Sequence, residues 1–203
     1  MQRSRLRIAQ QVRQMLDAAR ALIDAKGDEF TTQELAAEAG VALQTFYRYF
    51  ASKDELLLAV IGDAMVDACE RWAQAAAELP DSLARLRYYL MSTLERLSGD
   101  SHNAAMSRFV VSTRWRLHRQ FPKELAEAEK PFVDLVRGEV NAAIVAGLLN
   151  PPDPEWDSWF LVELVRSVYH YYAFAEHDDD ELELVKERLW RFCLTALGGV
   201  TQP

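Results

Sequence analysis

The stretch TTQELAAEAGVALQTFYRYFASKDEL, residues 31–56, predicts two short helices, a tight turn between them and the start of a third helix. Thr31 and Glu34 have the spacing of a capping box, in which a threonine hydroxyl and a glutamate carboxylate each accept a hydrogen bond from a backbone amide at the helix start. Gly40 follows the apolar positions of this first helix and supplies the left-handed residue that commonly ends a helix. The first helix is therefore expected to end in a sharp turn.

The second helix of this stretch is short and has one apolar side. Phe46 and Phe50 are expected to face the core. This leaves a more exposed set of groups: Leu43, Gln44, Thr45, Tyr47 and Arg48. The third helix opens at Ser52, which has the spacing of a second capping box with Glu55. Two short helices joined by a glycine-containing turn form a helix-turn-helix, whose second helix fits the major groove of DNA. An ordinary helical hairpin has the same spacing, so spacing alone leaves both structures open.

A wider pattern around this stretch decides between them. From about Ile8 to Leu57 the chain resembles the N-terminal domain of the TetR family of bacterial transcriptional regulators. The matching pattern is Thr32, Leu35-Ala36, Ala39-Gly40-Val41, Thr45-Phe46-Tyr47, Tyr49-Phe50 and Ser52-Lys53-Asp54-Glu55-Leu56. One departure is Ala42, because the family usually has a serine at this position, the cap of the second helix. The loss of such a cap costs an isolated helix about 1 kcal/mol.

The resemblance implies a set of DNA contacts. In that family the first helix of the motif and the start of the helix after it contact phosphates, the short middle helix contacts bases, and an aromatic-rich segment packs and contacts the backbone. The predicted DNA-binding residues are Thr31, Thr32, Leu43, Gln44, Thr45, Tyr47, Arg48, Tyr49 and Lys53. Gln44 suits an adenine edge, and Thr45 suits a thymine methyl group or a phosphate. Tyr47, Arg48 and Lys53 suit phosphates.

Three arginines precede the first strong helical pattern, which starts at Ile8: Arg3, Arg5 and Arg7. A flexible basic arm of this kind can enter an adjacent minor groove or neutralise phosphates, as homeodomain arms do. A solvated, disordered terminus is the alternative. The sequence leaves both interpretations open.

Charge is distributed unevenly along the 203 residues, whose net charge is −8. Residues 1–53 hold eight Lys and Arg and six Asp and Glu, whereas residues 54–203 hold 15 and 25. The N-terminal part can therefore approach DNA while the acidic remainder is held away from it. Cys69 and Cys193 lie within apolar helical patterns and are interpreted as buried thiols in a reducing compartment. No signal peptide or membrane span is predicted, so we expect a cytoplasmic protein.

The rest of the chain has helical periodicity throughout and few strand signals. We expect an all-α protein of about nine helices, with a helix-turn-helix DNA-binding domain at residues 1–52 and a larger effector-binding and dimerisation domain at residues 53–203. The helix that opens at Ser52 is expected to run toward Pro80 and to belong to both halves. The later helices are predicted at 81–99, 101–119, 122–149, 153–176 and 178–198.

The last two helices are apolar over most of their surface, as expected when one face meets the core and another meets a partner. The family resemblance implies that they pair with their twins in a four-helix dimer interface. The predicted interface residues are Tyr171, Tyr172, Phe174, Leu182, Val185, Leu189 and Phe192. A buried core helix in a monomer is the alternative.

The middle helices contain the candidates for an effector pocket, although methionines and aromatic residues at helical spacing also fill cores. The candidates are Met65, Trp72, Met91, Met106, Phe109, Thr113, Trp115, His118, Trp159, Glu163, Arg166, Tyr169 and His170. They predict an effector that is largely apolar or aromatic. Arg166 requires a partner in an apolar helix, and Glu163 can supply it three residues away. An acidic effector is the alternative.

Metal, cofactor and enzymatic signals are weak. The four histidines have no close metal-ligand spacing with the cysteines, and His177 beside three aspartates is better explained as part of a helix cap. No metal and no cofactor are predicted, and no nucleophile with a recognisable base is found. The predicted function is a homodimeric DNA-binding regulator, a repressor released from a palindromic operator by a small molecule. The alternatives are a helical interaction module that no longer binds DNA, and a helical enzyme.

Overall fold

The chain is helical wherever the structure describes it. The computed structural model describes residues 2–27, 29–98 and 101–199, and the side chains of 7–27, 29–98 and 104–199. Within these ranges there are nine α-helices, one short 3-10 helix at Glu95–Leu97, and no strand. The helices are α1 (Gln2–Lys26), α2 (Thr32–Glu38), α3 (Leu43–Tyr49), α4 (Lys53–Ala75), α5 (Ser82–Ser92), α6 (Ser101–Gln120), α7 (Pro122–Val145), α8 (Pro154–Tyr172) and α9 (Asp179–Ala196). The predicted all-α fold is confirmed.

Short-range capping explains where most helices begin. Among the described residues, five side chains at helix starts accept a hydrogen bond from the backbone amide three residues later: Thr31, Ser52, Asp81, Asp153 and Asp178. Each of these bonds satisfies an amide that has no partner within its own helix. The starts of α2, α5, α8 and α9 therefore agree with the sequence predictions.

Helix ends agree less well. The leucine pattern predicted one helix to Gly99, but α5 ends at Ser92 and Leu94 and Leu97 continue to pack in the core through the 3-10 helix. At the N-terminus, α1 begins at Gln2, so the expected arm before Ile8 is helical instead. The segment up to Ile8 contains no Gly or Pro that would stop the helix, and Arg, Leu and Gln favour helix formation.

The described chain divides into two compact units. Unit 1 comprises Met1–Ala64 and Ser112–Ala128, and unit 2 comprises Met65–Val111 and Glu129–Pro203. Helices α4, α6 and α7 therefore have residues in both units. With 23 residues, α4 is about 35 Å long at a rise of about 1.5 Å per residue. The functional boundary at residue 52 stays a prediction.

Each unit has its own core. In unit 1, α1 supplies Met15 and Ala19, both fully buried, and α3 supplies the fully buried Phe46. In unit 2 the core is formed by apolar residues of the remaining helices, and it includes both cysteines as free thiols. Burial raises the pKa of Cys69 to about 11 and that of Cys193 to about 12. The thiols therefore remain protonated at neutral pH, and their burial agrees with the sequence interpretation.

A buried lysine in unit 2 shows how a charge is accommodated there. Lys186 on α9 is only 4% exposed, and its ammonium group donates to Glu183 at 2.6 Å and to Glu95 at 3.0 Å. These bonds connect α9 to the 3-10 helix and compensate for the cost of removing the ammonium group from water.

None of the helices described above is both long and apolar enough to cross a membrane.

Candidate DNA interface and effector region

The start of α2 is fixed by the capping box that the sequence predicted. The Thr31 hydroxyl accepts from the Glu34 amide at 3.2 Å, and the Thr31 amide donates to the Glu34 carboxylate at 2.7 Å. Lys26, the last residue of α1, forms an ion pair with Glu34 at 2.6 Å. The hydrogen bonds from Lys26 and from Thr31 lower the pKa of Glu34 to about 2. Glu34 therefore joins the end of α1 to the start of α2.

The turn between α2 and α3 has the geometry of a Schellman motif. The Gly40 amide donates to the Ala37 carbonyl at 3.1 Å, and the Val41 amide donates to the Ala36 carbonyl at 2.9 Å. Gly40 has a φ of 64°, a conformation that costs little without a β-carbon. The turn brings α3 against α2, as required for a helix-turn-helix.

Helix α3 is packed on one side and exposed on the other. Phe46 is fully buried and contacts the Tyr47 ring edge-on at 5.0 Å between centroids. Gln44 and Arg48 are exposed, and Tyr47 is 51% exposed. At the N-cap, Ala42 has extended backbone angles and no side-chain hydrogen bond. The exposed face is therefore the one that the sequence predicted, on a helix that lacks one cap.

Hydrogen bonds position several of the predicted DNA-binding side chains. The hydroxyls of Thr32 and Tyr47 lie 3.2 Å apart, which joins α2 to α3. The Tyr49 hydroxyl donates to the Gln11 side-chain oxygen at 2.9 Å, which joins α3 to α1. The guanidinium carbon of Arg48 lies 5.0 Å from the centroid of the Tyr49 ring. Gln11 was not predicted, because a glutamine on the polar face of a helix carries no local signal.

Lys53, the first residue of α4, is held by the segment before α2. Its ammonium group donates to the Phe30 carbonyl at 3.0 Å and lies 4.6 Å from the centroid of the Phe30 ring. An ammonium group has three donors, and the bond to Phe30 uses one of them. The remaining predicted residues of the DNA surface are half-buried Leu43 and Thr45 on α3.

Two ion pairs join helix α1 to α4 within unit 1. One carboxylate oxygen of Asp63 accepts from Arg13 at 2.8 Å and from Arg20 at 2.7 Å. Arg7 is exposed in the second turn of α1, and the side chains of Arg3 and Arg5 lie outside the described side chains. The basic residues of the predicted arm therefore extend α1 at its N-terminal end.

The predicted effector residues do not form one group. Trp115 and His118 belong to unit 1 and are exposed, with Trp115 58% exposed, so they lie apart from the candidates in unit 2. Their helix turns these positions outward while Thr113 and Leu117 face inward. Thr113 is 1% exposed, and its hydroxyl has no hydrogen-bond partner among the described residues.

Unit 2 holds most of the other effector candidates. Met91 is buried, and Trp72 packs edge-on against Phe132 with 5.8 Å between ring centroids. The half-buried candidates are Met65, Trp72, Met106, Phe109, Tyr169 and His170. Burial raises the pKa of the Tyr169 hydroxyl. Trp159 is 43% exposed and belongs to an outer aromatic cluster with Trp156 and Phe160.

Arg166 has two carboxylate partners. It pairs with Glu163 on its own helix, as predicted, and with Glu129 of α7 at 3.1 Å. Glu129 is 9% exposed, and the Arg166 side chain is 18% exposed. The second partner lies 37 residues away in sequence and gave no local signal. With two carboxylates in contact, the guanidinium charge is compensated within the protein.

The predicted dimer face is only partly exposed. Tyr171, Phe174 and Phe192 are 67%, 57% and 64% exposed, and Tyr172 and Val185 are half-buried. Leu182 and Leu189 are 0% and 7% exposed and pack in the core, so their assignment to a partner surface is wrong. Leu182 and Leu189 lie on the inner face of α9, whereas Leu184 and Phe192 lie on its exposed face. Trp156, Phe160 and Leu184 are 59%, 56% and 51% exposed and are not among the predicted interface residues.

Metal binding finds no support among the described residues, where no group of three or more His, Cys, Asp and Glu side chains is arranged to hold an ion. The His177 ring instead lies within 3.1 Å of the backbone oxygens of Ala175 and Leu97. His177 therefore connects the segment after α8 to the segment after α5.

Comparison with known proteins gives a consistent picture. Residues 15–60 match the sequence profile described as bacterial regulatory proteins, tetR family. The fatty acid metabolism regulator protein of Bacillus subtilis (strain 168) is 25% identical over 135 residues, which cover 66% of this chain and 68% of that protein.

Solved structures share the fold over nearly the whole chain. The transcriptional regulator FadR from Bacillus subtilis, in complex with stearoyl-CoA, has a TM-score of 0.70 and 19% identity, covering 90% of this chain and 97% of that chain. RolR in complex with resorcinol has a TM-score of 0.67 and 17% identity, covering 96% and 95%. The resemblance found from about Ile8 to Leu57 is thereby confirmed: residues 15–60 match the tetR family, and the chain shares its fold with transcriptional regulators.

Proposed function

We propose that the chain is a homodimeric, ligand-responsive repressor that acts in the cytoplasm, binds a palindromic operator and is released from it by a small-molecule effector. One observation carries the DNA-binding part of this proposal. Helix α3 presents exposed Gln44, Tyr47 and Arg48 on one side, while Phe46 on the other side is fully buried. A short helix held in this way can enter a major groove without first becoming ordered.

We assign base contacts to α3 and phosphate contacts to the residues around it. Gln44 bonds to an adenine edge, and Thr45 contacts a thymine methyl group or a phosphate. Tyr47, Arg48, Tyr49 and Lys53 contact phosphates, with Thr31 and Thr32 at the start of α2. The bonds from Tyr47 to Thr32 and from Lys53 to Phe30 support this assignment, because they fix long side chains before DNA is bound.

The dimer is proposed to form through the exposed apolar side chains of α8 and α9. Aromatic residues rarely expose more than half of their surface in a cluster unless a partner covers them. Trp156, Trp159 and Phe160 contact one another with ring centroids 5.1–6.1 Å apart, and Phe192 contributes from α9. Two-fold symmetry would present two copies of α3 to half-sites about one helical turn of DNA apart or a multiple of that.

The effector is proposed to place a largely apolar or aromatic part in the interior of unit 2. The half-buried methionines and aromatic residues there suit such a group, because thioether and ring surfaces adapt to apolar ligands. The similar proteins bind stearoyl-CoA and resorcinol, which have an acyl chain and an aromatic ring. A simple acid is disfavoured, since Arg166 is already paired with Glu129 and Glu163.

Release is proposed to follow from a linked equilibrium. The effector binds more tightly to a conformer in which the two copies of α3 are wrongly spaced for the operator. By reciprocity, operator DNA then weakens effector binding by the same factor. If effector and operator bind with no mutual effect, the proposed control is wrong.

The test is DNA binding by the purified chain across a salt series, using fragments that flank its own gene and a scrambled fragment. We expect salt-sensitive binding to one palindrome with a Kd of about 10⁻⁸ M or lower. Gln44→Ala is expected to relax specificity at one base pair at a cost of about 1–3 kcal/mol, whereas Lys53→Ala weakens operator and scrambled DNA alike. No preference over scrambled DNA, both with these fragments and with a random-sequence library, would instead favour an interaction module.

A further inference from the structure

Helix α6 differs in charge from the rest of this acidic chain. Its twenty residues include four arginines, two histidines and no Asp or Glu. The whole chain has 31 acidic and 23 basic residues. The arginines become denser toward the C-terminal end, where Arg114, Arg116 and Arg119 lie within six positions. Basic side chains are therefore concentrated at this end of α6.

The same end of α6 borders a cleft of about 520 Å³ in unit 1. Its walls are Trp115, Arg116, Arg119 and Gln120. Trp115 and Arg119 are four positions apart, as are Arg116 and Gln120, so an indole, two guanidinium groups and a carboxamide share one side of the helix. His118 packs edge-on against the Trp115 ring, with 6.1 Å between centroids. The cleft is open to solvent, so a ligand there is held through these four side chains.

These side chains define the class of ligand. Guanidinium groups bind phosphate oxygens with directed, charge-assisted hydrogen bonds. An exposed indole offers a flat surface on which a nucleobase stacks, and a carboxamide can both donate to and accept from a base or sugar. An apolar ligand would not use the arginines, and a simple inorganic anion would not use the indole.

We propose that this cleft binds a nucleotide, with the base against Trp115 and the phosphate between Arg116 and Arg119. A free nucleotide and the nucleotide end of a larger ester share this chemistry. The site consists of unit 1 residues that are not among the assigned DNA contacts. Nucleotide binding is measured on DNA-free protein, so its outcome is independent of the proposed repressor function.

One ion pair connects the cleft to the DNA-binding surface. The Arg116 side chain donates to the Asp54 carboxylate at 3.2 Å, in the first turn of α4 and one residue after Lys53. A nucleotide phosphate competes with Asp54 for this guanidinium group. When the pair separates, the Asp54 charge next to Lys53 is less compensated and the local potential becomes less favourable for a DNA phosphate. This step rests on the proposed function of Lys53, and it makes the nucleotide a weakener of DNA binding.

The first experiment titrates the full, DNA-free chain with AMP, coenzyme A and inorganic phosphate by calorimetry. Saturable binding of the nucleotides is expected, at least about tenfold tighter than that of phosphate, because only the nucleotides have a base to stack. Arg119→Gln and Trp115→Ala are each expected to weaken nucleotide binding about tenfold. The matched control is Arg108→Gln, an exposed arginine of the same helix in unit 2, which should bind like the parent.

Each outcome decides the proposal. Equal binding of AMP and coenzyme A indicates a free nucleotide, and much tighter coenzyme A indicates the end of a larger ester. Lack of saturable nucleotide binding, equal binding by inorganic phosphate, or parent-like binding by Arg119→Gln overturns the site. If Arg119→Gln lowers the salt slope of DNA binding while no nucleotide binds, the arginines serve the DNA backbone instead. A parent that binds its operator leaves the repressor function intact in all of these cases.

The link to DNA is measured separately. Saturating nucleotide is expected to weaken operator binding of the parent and to leave that of Arg119→Gln unchanged. Unchanged operator affinity in the parent, despite measured nucleotide binding, would overturn the competition between the phosphate and Asp54 while leaving the nucleotide site in place.

Discussion

At the scale of single residues, Glu34 carries a pH-dependent contribution to the DNA-binding unit. Its carboxylate accepts bonds from Lys26 and from Thr31, and these bonds lower its pKa from 4.5 to about 2. A carboxylate whose pKa is lower in the folded state stabilises the fold above its unfolded pKa. That stabilisation is lost as the pH falls through the folded pKa, so the window lies between about pH 4.5 and about pH 2.

We therefore predict that Glu34→Gln melts below the parent at pH 7 and that the difference narrows as the pH falls through this window. The physical reason is that the Glu34 carboxylate of the parent becomes protonated in this window and loses its charge, whereas a glutamine at this position does not titrate. Thermal unfolding followed by circular dichroism at several pH values measures both curves. Glu38→Gln, at the exposed far end of α2, controls for removal of a charge alone. A melting difference that stays constant from pH 7 to pH 2 would contradict this role of Glu34.

At the scale of one element, α3 lacks a side-chain cap at its N-terminus. Ala42 occupies the N-cap with φ −68° and ψ 145°, the extended conformation of a capping residue, but has no side-chain oxygen. Its carbonyl already accepts from Thr45 and Phe46. A serine hydroxyl at this position would accept from the amide of Gln44 or Thr45, as a side-chain cap does in the first turn of a helix.

We predict that Ala42→Ser raises the free energy of unfolding by about 1 kcal/mol. For a chain of this size, that corresponds to a rise in Tm of about 2–4 °C. Ala37→Ser, at an exposed interior position of α2, adds the same hydroxyl without a cap and is expected to lower stability by about 0.5 kcal/mol. Thermal melts of the three proteins at neutral pH give the comparison. If the two serine variants shift Tm in the same direction, the missing cap is not what limits α3.

The helices also show which parts of this fold could be predicted from the sequence. Thr31 with Glu34, Gly40 and the capping aspartates were predicted correctly, because each acts through backbone groups within about four residues. The end of α5 was not, because the leucine spacing persists through Leu94 and Leu97 after the helix has stopped. Apolar periodicity reports burial, and burial continues across a 3-10 segment that stays in the core.

Contacts between residues that are far apart in the sequence could not be predicted, because they leave no local sequence pattern. Gln11 with Tyr49 and Glu129 with Arg166 join residues 38 and 37 positions apart, and neither pair has a local pattern. The direction in which Trp115 points was also unreadable, because an aromatic residue at helical spacing fits either a core or an exposed face. The exposed face of α3 was predicted because the helix-turn-helix is a local motif, whereas the effector candidates lie on separate helices.

At the scale of the whole molecule, α8 and α9 leave a large apolar surface without a partner in one subunit. Phe192, Phe174 and Tyr171 are each more than half exposed, whereas Leu182 and Leu189 on the inner side of α9 are buried. This division separates residues that stabilise the subunit from residues available to a second copy. A substitution on the outer side should therefore change association without unfolding the chain.

We predict that Phe192→Glu converts the proposed dimer into a folded monomer. Phe192 is 64% exposed in the subunit, so a carboxylate there stays hydrated in the monomer, but a dimer would remove it from water at a cost of several kcal/mol. Light scattering coupled to size exclusion measures the mass, and helical content by circular dichroism shows whether the fold is kept. Val145→Glu, at the 89% exposed end of α7, is the matched control and should remain dimeric. Operator affinity should fall when the dimer is lost, because the single α3 of a monomer contacts only one half-site. A Phe192→Glu protein that stays dimeric would place the interface elsewhere.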